Sequence, residues 1–343
     1  MRIDNRLIGA AQPPYIIAEI GVNHDGDPRC ALELVDAAAG AGADAVKLQY
    51  FQTDLLMSGA ARLAAYQAAA GETDPLAMLR RLELGLDDLA RICQQARQRG
   101  LHAIVTIFSL ELVAGARELP WDAFKTASPD IIHRPLLSAL AADERPLIVS
   151  TGASELEEVA RALEWLAPAR DRLALLQCVS AYPAPEPAFD GIGALGAIFD
   201  GPVGYSDHNA GTGSAAGAIA AGAVILEKHL TYDRAAAGPD HAASLEPAQF
   251  AEYVRLARAM RPAPPAPSGR KQVLPCERDV RAVSRQSITT TRPIAPGEVI
   301  QRRDLTFKRP GTGLAPWRLG EVLGRRAARA IETDAPLAPE DLA

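Results

Sequence analysis

Cysteine is scarce and scattered in this sequence. Four residues (Cys30, Cys93, Cys178 and Cys276) lie far apart in 343, with no Cys-x-x-Cys pair and no clustering near histidine. That spacing argues against a disulfide framework or a zinc knuckle and fits free thiols in a reducing cytosol. A basic excess is missing too: Lys and Arg number 36 against 42 Asp and Glu, for a formal net charge of -6. Gripping a nucleic-acid backbone needs a basic face, so no nucleic-acid partner is expected, whereas a local pocket for one small anion stays compatible. No apolar run reaches bilayer-spanning length before Gly or a charge interrupts it. Met1 to Gln12 carries charges and no apolar signal-peptide core. The expectation is a cytoplasmic protein with no membrane partner. Apart from Ala enrichment there is no low-complexity tract, and there is no internal repeat.

The sequence does have material for a large core, with 48% hydrophobic and 23% charged residues, enough for one large domain plus a small one. Short apolar β-type runs recur at Tyr15–Gly21, Ala45–Phe51, His102–Phe108, Ala123–Ser128, Pro146–Thr151, Leu173–Val179, Pro202–Ser206 and Ala223–His229. Amphipathic stretches such as Ala31–Ala41, Leu86–Arg99, Ser154–Leu166 and Pro247–Arg261 lie between or after them. Runs without polar alternation fit strands buried on both faces of a parallel sheet. Eight such strands alternating with helices predict an α/β fold, a (β/α)8 TIM barrel over residues 1–262. A doubly wound sheet is the alternative, though it would usually split this length in two. The Pro-rich stretch after Arg261 reads as a stiff linker (263–283). Residues 284–343, with β-type segments Ser287–Thr291 and Leu305–Lys308, read as a compact, mostly β module small enough to need docking.

A barrel carries its chemistry at the C-terminal ends of its strands, and polar residues recur at those ends here. Glu19, Asn23 and His24 close the first strand. Lys47 and Gln49, then Thr106, Lys125 with Ser128, and Ser150 mark the next four. Ser180 with Tyr182, Ser206 with Asp207 and His208, and Glu227 with His229 complete the set. His208 and His229 could share a divalent ion through neutral imidazole nitrogens, or they could be hydrogen-bonded histidines lining a polar cavity. Lys47 and Lys125 interrupt apolar runs, and a lysine pointing into a barrel is costly unless it meets an anion. Core salt bridges would explain one; two, joined by Ser128, Ser150 and Ser206, favour a cradle for phosphate and carboxylate. Glu19 and Glu227 could move protons at an aldehyde or hydroxyl oxygen, or balance the lysines as buried ion pairs. Asp240, in a Gly-Pro-Asp turn, reads only as loop, with sugar hydroxyls as a partner if it stands at the barrel mouth.

In order along the chain stand Ile17-Ala-Glu-Ile-Gly-Val-Asn-His24, Gly42-Ala-Asp-Ala-Val-Lys-Leu-Gln49, Phe124-Lys-Thr-Ala-Ser128 and Val149-Ser-Thr-Gly152. Then come Cys178-Val-Ser-Ala-Tyr-Pro183, Val203-Gly-Tyr-Ser-Asp-His208, Glu227-Lys-His229 and Gly238-Pro-Asp-His-Ala-Ala-Ser244. The ordered set resembles the sialic acid (N-acetylneuraminate) synthase family, including its legionaminic and pseudaminic acid members. Lys308-Arg-Pro-Gly-Thr-Gly313 with Glu321-Val-Leu-Gly324 resembles the family's C-terminal antifreeze-like (SAF) domain. The resemblance implies condensation of phosphoenolpyruvate with an open-chain N-acylated hexosamine, either N-acetylmannosamine or a 2,4-diacetamido-trideoxyhexose. The product it implies is a nine-carbon 2-keto acid, with release of phosphate.

It further implies Mn2+ or Mg2+ on His208 and His229. Phosphoenolpyruvate would lie on Lys47, Thr106, Lys125, Ser128, Ser150, Ser180 and Ser206. Glu19 would act at the aldehyde oxygen, assisted by Glu227, and the sugar would meet Gln49, Tyr182, Asp240 and, at its N-acyl group, Arg309. Family members are homodimers in which the cap of one chain reaches the other's barrel. The sequence departs from the family pattern at Thr106-Ile107-Phe108, at Ser180, and at Ser128-Pro-Asp-Ile-Ile-His133, where polar groups are lost and Pro129 enters. That last loop leaves the sugar open. A homologue that keeps the fold and binds a sugar or anion without chemistry is the competing reading, and an ice-binding role for the cap is a third.

Overall fold

The computed structural model describes residues 1–263 and 269–343. Residues 264–268, most of the Pro-rich stretch, lie outside it. A two-strand hairpin, β1 (Arg2–Ile3) and β2 (Arg6–Leu7), precedes eight parallel strands that close into a barrel. These are β3 (Tyr15–Glu19), β4 (Ala45–Tyr50), β5 (His102–Ile107), β6 (Ala123–Thr126), β7 (Leu147–Ser150), β8 (Leu173–Cys178), β9 (Val203–Asp207) and β10 (Ile225–His229). All eight expected strands are present in the expected order, and β10 pairs with β3 to close the ring.

Alternation along each strand sorts the side chains. Ile16, Val46, Val105, Phe124, Val149, Leu175, Tyr205 and Leu226 point outward into the main core beneath the helices. Tyr15, Ile17, Ala45, Ile104, Ala123, Ile148, Ala174 and Ile225 point inward and fill the lower barrel, where Ile3 and Ile8 of the hairpin plug the bottom. Further up the strands the inward position turns polar on all but β8, where Leu176 continues the apolar filling: Glu19, Lys47, Thr106, Lys125, Ser150, Ser206 and Glu227. The register then makes neighbours of Glu19 and Lys47, Glu19 and His229, Thr106 and Lys125, and Ser206 and Glu227. The site is thus a layer of the barrel itself, held by strand hydrogen bonds.

The helix Pro28–Gly40 shows how the outer ring is encoded. Asp27 accepts from the Arg29 amide at 2.8 Å as N-cap, and Pro28 opens the first turn. Ala31, Leu34, Val35 and Ala38 form the buried stripe. Gly42, at φ +85°, takes the left-handed residue that lets the chain turn back into β4. Truncating Leu34 to Ala in this packed layer would cost about 2–5 kcal/mol.

Two departures from the sequence reading matter for function. Between β4 and β5 the chain makes a long excursion over the barrel mouth, with short helices at Thr53–Leu56, Ala65–Ala69 and Pro75–Leu82. And the segment after the Pro-rich stretch is more than a tether: from residue 269 it lies along the barrel rim. Lys271 donates to Gln177 at 2.9 Å, and a helix at Arg278–Ser284 docks through Arg281 and Arg285, both paired with Glu158 at 2.7 Å. The C-terminal module pairs β11 (Ser287–Thr290) antiparallel with β12 (Leu305–Lys308). Ile288, Ile294, Ile300, Phe307, Val322 and Leu337 form its core.

That module sits on the mouth of its own barrel. Thr306 donates to Glu111 at 2.9 Å, Gln286 to the Phe108 carbonyl at 2.8 Å, and the Arg309 amide to the Leu56 carbonyl at 2.8 Å. The segment 269–285 runs along the barrel rim and leads into the cap.

Candidate active site

The floor of the mouth is a network of buried charge. The Lys47 ammonium contacts the Glu19 carboxylate directly, donates to Thr106 at 3.0 Å and lies 3.8 Å from Glu227. Lys125 donates to Ser150 at 2.6 Å and lies 3.5 Å from the other oxygen of Glu227. Ser206 donates to Glu227 at 3.0 Å, and the Gly21 amide to Glu19 at 2.7 Å. Each of these charged residues is less than 5% exposed. Burial pulls the Lys47 ammonium down to about 7, against the opposing pull of Glu227. Burial pushes Glu227 up, yet Lys125, Lys47 and Ser206 outweigh it and hold the carboxyl below its ordinary value. The ionised carboxylate between two ammonium groups is the state these contacts favour. One Glu227 oxygen still lacks a hydrogen-bond donor.

His208 and His229 stand at the ends of β9 and β10, their ring centres 5.4 Å apart. His208 Nδ1 faces the Val179 carbonyl at 2.8 Å, which makes it the protonated nitrogen and leaves the Nε2 lone pair free. His229 Nδ1 is buried without a hydrogen-bond partner, 3.6 Å from Asp240. Burial holds both imidazoles below their ordinary value, His229 further because His208 and Lys47 add to it. Neutral imidazoles, one oriented by a carbonyl and one with an orphaned nitrogen, fit a divalent ion. Among the described residues, no group of three or more His, Cys, Asp or Glu is arranged to hold one, so a metal here would draw its remaining ligands from substrate or water. Burial raises the Asp240 carboxyl to about 6, against His208 and Lys47.

The other expected residues gather on the same cavity, which encloses about 930 Å³ of non-protein space, part of it open to solvent. Gln49 and Tyr182 line it, as do Ser128, Ser180, Asp240 and Arg309. Gln49 is fixed by donation to the Gly21 carbonyl at 2.8 Å, and Tyr182 lies 4.0 Å from the His208 ring. Ser128 accepts from the Gly152 amide at 2.9 Å. A Cβ on Gly152 would fall 2.3 Å from the Ser180 hydroxyl, so glycine is what lets these strand ends meet.

Sequence reasoning assigned no individual role to four residues here, two of them within the altered loop Ser128–His133. Glu277 accepts from the amides of Ala153 and Ser180, both at 2.7 Å, and so pins the connecting segment to the ends of β7 and β8. Asp130, in the altered loop, accepts from Gln286 of the cap at 3.4 Å. Burial pushes its carboxyl up to about 7 despite Arg309 and Lys125. In the same loop His133 has turned structural: it accepts from the Leu136 amide at 3.2 Å and packs on Phe307 of the cap. Tyr66, on the excursion, lies 4.8 Å from Tyr182. Only Asp130 carried a signal, an acid just beyond a barrel strand's end.

A closed parallel barrel with lysines, carboxylates and paired histidines at its C-terminal mouth, roofed by a small β cap, places the chain among the (β/α)8 barrel proteins, which carry their sites at that face. The chain belongs to the NeuB family, whose model matches residues 34–264, and a SAF domain matches residues 285–343. It is 36% identical over 327 residues to an N,N'-diacetyllegionaminic acid synthase from Legionella pneumophila, covering 93% of this chain and 91% of that one. It is 31% identical over 335 residues to the human N-acetylneuraminate-9-phosphate synthase, covering 96% and 92%. The crystal structure of the spore coat polysaccharide biosynthesis protein SpsE from Bacillus subtilis matches with TM-score 0.84 at 30% identity, covering 100% of this chain and 99% of that one. Relatives named as synthases are consistent with an enzyme of sialic-type sugar acid biosynthesis. Among the described residues, no helix is long and apolar enough to cross a membrane.

Proposed function

We propose that this protein condenses phosphoenolpyruvate with an open-chain N-acylated hexosamine to give a nine-carbon 2-keto sugar acid and inorganic phosphate. The observation that carries this reading is Glu227 set between Lys47 and Lys125, at 3.8 and 3.5 Å, in a buried layer of the barrel at the floor of the cavity. Lys47 and Lys125 face two carboxylates, Glu19 and Glu227, and the side chains of Thr106, Ser128, Ser150, Ser180 and Ser206 line the same cavity, so an anion entering it meets two ammonium groups and five hydroxyls. A phosphate and carboxylate on one small molecule complement that arrangement.

In the reaction, C3 of the enolpyruvate forms a bond to the aldehyde carbon, and the aldehyde oxygen takes a proton at the Glu19–Lys47 pair. Water adds at C2, the C2–O bond to phosphate breaks, and C2 becomes the ketone. Glu227, held by Ser206, stands on the cradle side and steadies the ammonium groups as phosphate charge departs. Gln49, Tyr182 and Asp240 would orient the sugar, and Arg309 would face its acyl group. His208 and His229 would hold Mn2+ or Mg2+, whose chemistry when bound is polarisation of the aldehyde. We further propose that the protein works as a homodimer in the cytoplasm, as the resemblance implies.

The test is release of phosphate from phosphoenolpyruvate with Mn2+ or Mg2+ and a panel of N-acylated hexoses. Release that depends on one of the sugars, with a product heavier than that sugar by one whole pyruvic acid, is the expected result. No turnover with any sugar by folded, metal-loaded protein would remove the proposal.

A further inference from the structure

The excursion between β4 and β5 reaches the site with one aromatic side chain from its outer half, Tyr66. Its ring lies 4.8 Å from Tyr182 with the planes 30° apart, and Tyr182 in turn lies 4.0 Å from His208. Tyr66, Tyr182, Phe108 and Arg309 together line one corner of the cavity, with the Arg309 guanidinium 5.6 Å from the centre of the Phe108 ring. The back of Tyr66 packs on Ala64, Val280 and Val283, so the connecting helix supports it.

What holds this segment is as informative as what it carries. Among the described residues, the hydrogen bonds that leave residues 58–69, other than turn bonds to residues 70–72, all end on the cap or the connecting helix. The Ser58 amide and hydroxyl donate to the Arg309 carbonyl at 3.1 and 2.8 Å. The Gly59 amide donates to Asp334 at 2.7 Å, and the Ala65 amide to Asp279 at 2.7 Å. Asp334 is itself fixed by Lys308 at 2.7 Å, one residue before Arg309. None of these bonds ends on a barrel strand.

We infer that Tyr66 is an acceptor-binding residue, and that Asp279 and Asp334 are positioning residues that let the cap set its place in the site. The inference rests on the proposed synthase reading for the identity of the acceptor. An aromatic pair set against a guanidinium suits the apolar face and planar amide of an acylated sugar, which the charged floor does not complement. The floor holds the small anion without help from Tyr66. Loss of the ring therefore weakens the acceptor and spares the phosphoenolpyruvate.

The experiment compares wild type, Tyr66→Ala, Tyr66→Phe and Asp279→Asn as full chains with metal, measuring KM for each substrate separately. Tyr66→Ala raises the acceptor KM by about 10-fold or more while KM for phosphoenolpyruvate stays within about 2-fold, on the order expected for a buried aromatic contact. Tyr66→Phe restores the acceptor KM to within about 3-fold, because the ring rather than the hydroxyl makes the contact. Asp279→Asn shifts the acceptor KM in the same direction by a smaller factor, since it loosens the segment without removing the ring. An unchanged acceptor KM in Tyr66→Ala, or an equal rise in both KM values, overturns the inference. If wild type turns over no sugar, the synthase reading fails by itself, and the inference is then read from calorimetric binding of the same sugars. In that case Tyr66→Ala must weaken whichever sugar wild type retains, and retention of none overturns it.

Discussion

Two buried lysines of the barrel carry the same chemistry and different lessons. Lys228 points outward from β10, 0% exposed, with its ammonium on the Asn209 carbonyl, 3.4 Å from Asp207 and beneath the Tyr253 ring. Asp207 is in turn held by Ser214 at 2.5 Å and by the Asn209 amide at 2.9 Å. That cluster is closed. Lys125 points inward, and the carboxylate it faces still has an oxygen without a donor, in the same cavity as the orphaned nitrogen of His229. A closed charge cluster locks helices to a strand; one left unfinished has room for a ligand's groups. Strand alternation decides which is which, because Glu227 and His229 face in while Lys228, between them, faces out.

The sharpest way to break this contrast is through the histidines. His208→Ala is expected to abolish stoichiometric Mn2+ binding, measured by calorimetry, and product formation with it, while the melting temperature in chelator stays near that of wild type. Retained turnover without retained metal would separate the histidines from the chemistry. Next come the two lysines. Lys125→Ala is expected to lower kcat/KM for phosphoenolpyruvate by about 10²–10³-fold with little change in folding stability. Lys228→Ala should do the reverse: it strands Asp207 in the interior and costs about 3–5 kcal/mol by denaturant titration, with the folded fraction still active. Equal effects of the two substitutions on stability would erase the distinction.

Asp130 gives a smaller, pH-dependent effect. Its folded carboxyl keeps its proton up to about pH 7, whereas an unfolded aspartate releases it near 4. Between those values the native state binds more protons than the unfolded one, so this residue makes stability fall as pH rises from about 4 to about 7. Asp130→Asn is therefore expected to match wild type at pH 4 and to exceed it at pH 8 by on the order of a few kcal/mol, read from urea midpoints. The smallest effect belongs to exposed charge. Arg255, paired with Glu252 on an outer helix, should leave both melting temperature and activity unmoved when replaced by Ala.

The barrel and its charged layer were legible in the sequence because both obey a local rule. Eight apolar runs give the strands, and the two-residue step from Ile17 to Glu19, Ala45 to Lys47 or Ile225 to Glu227 takes each from apolar filling to site. The roof obeys no such rule. Glu277 touches Ser180 across 97 positions, and Asp279 meets Ala65 across 214. Those pairings depend on where the segment from residue 269 runs, which no periodicity encodes. The helices of the excursion, four to eight residues long, are also shorter than the span over which a helical stripe becomes readable. His133 shows the converse error of emphasis: a departure that suggested altered sugar contacts serves in part to cap a helix and seat the cap.

The cap's place over its own barrel has a bearing on when the molecule becomes competent. Every group of the charged floor is translated by His229, and the strands that carry them form a closed ring to which the cap adds no strand. Arg309 comes later, in a module whose last residue, Ala343, is still bonded back to Arg326. A nascent or clipped chain that stops short of Arg309 therefore owns every group of the charged floor and lacks the cap residue that lines the cavity above it. In this protein the cavity gains its last lining residue, Arg309, only after every strand of the barrel has been made.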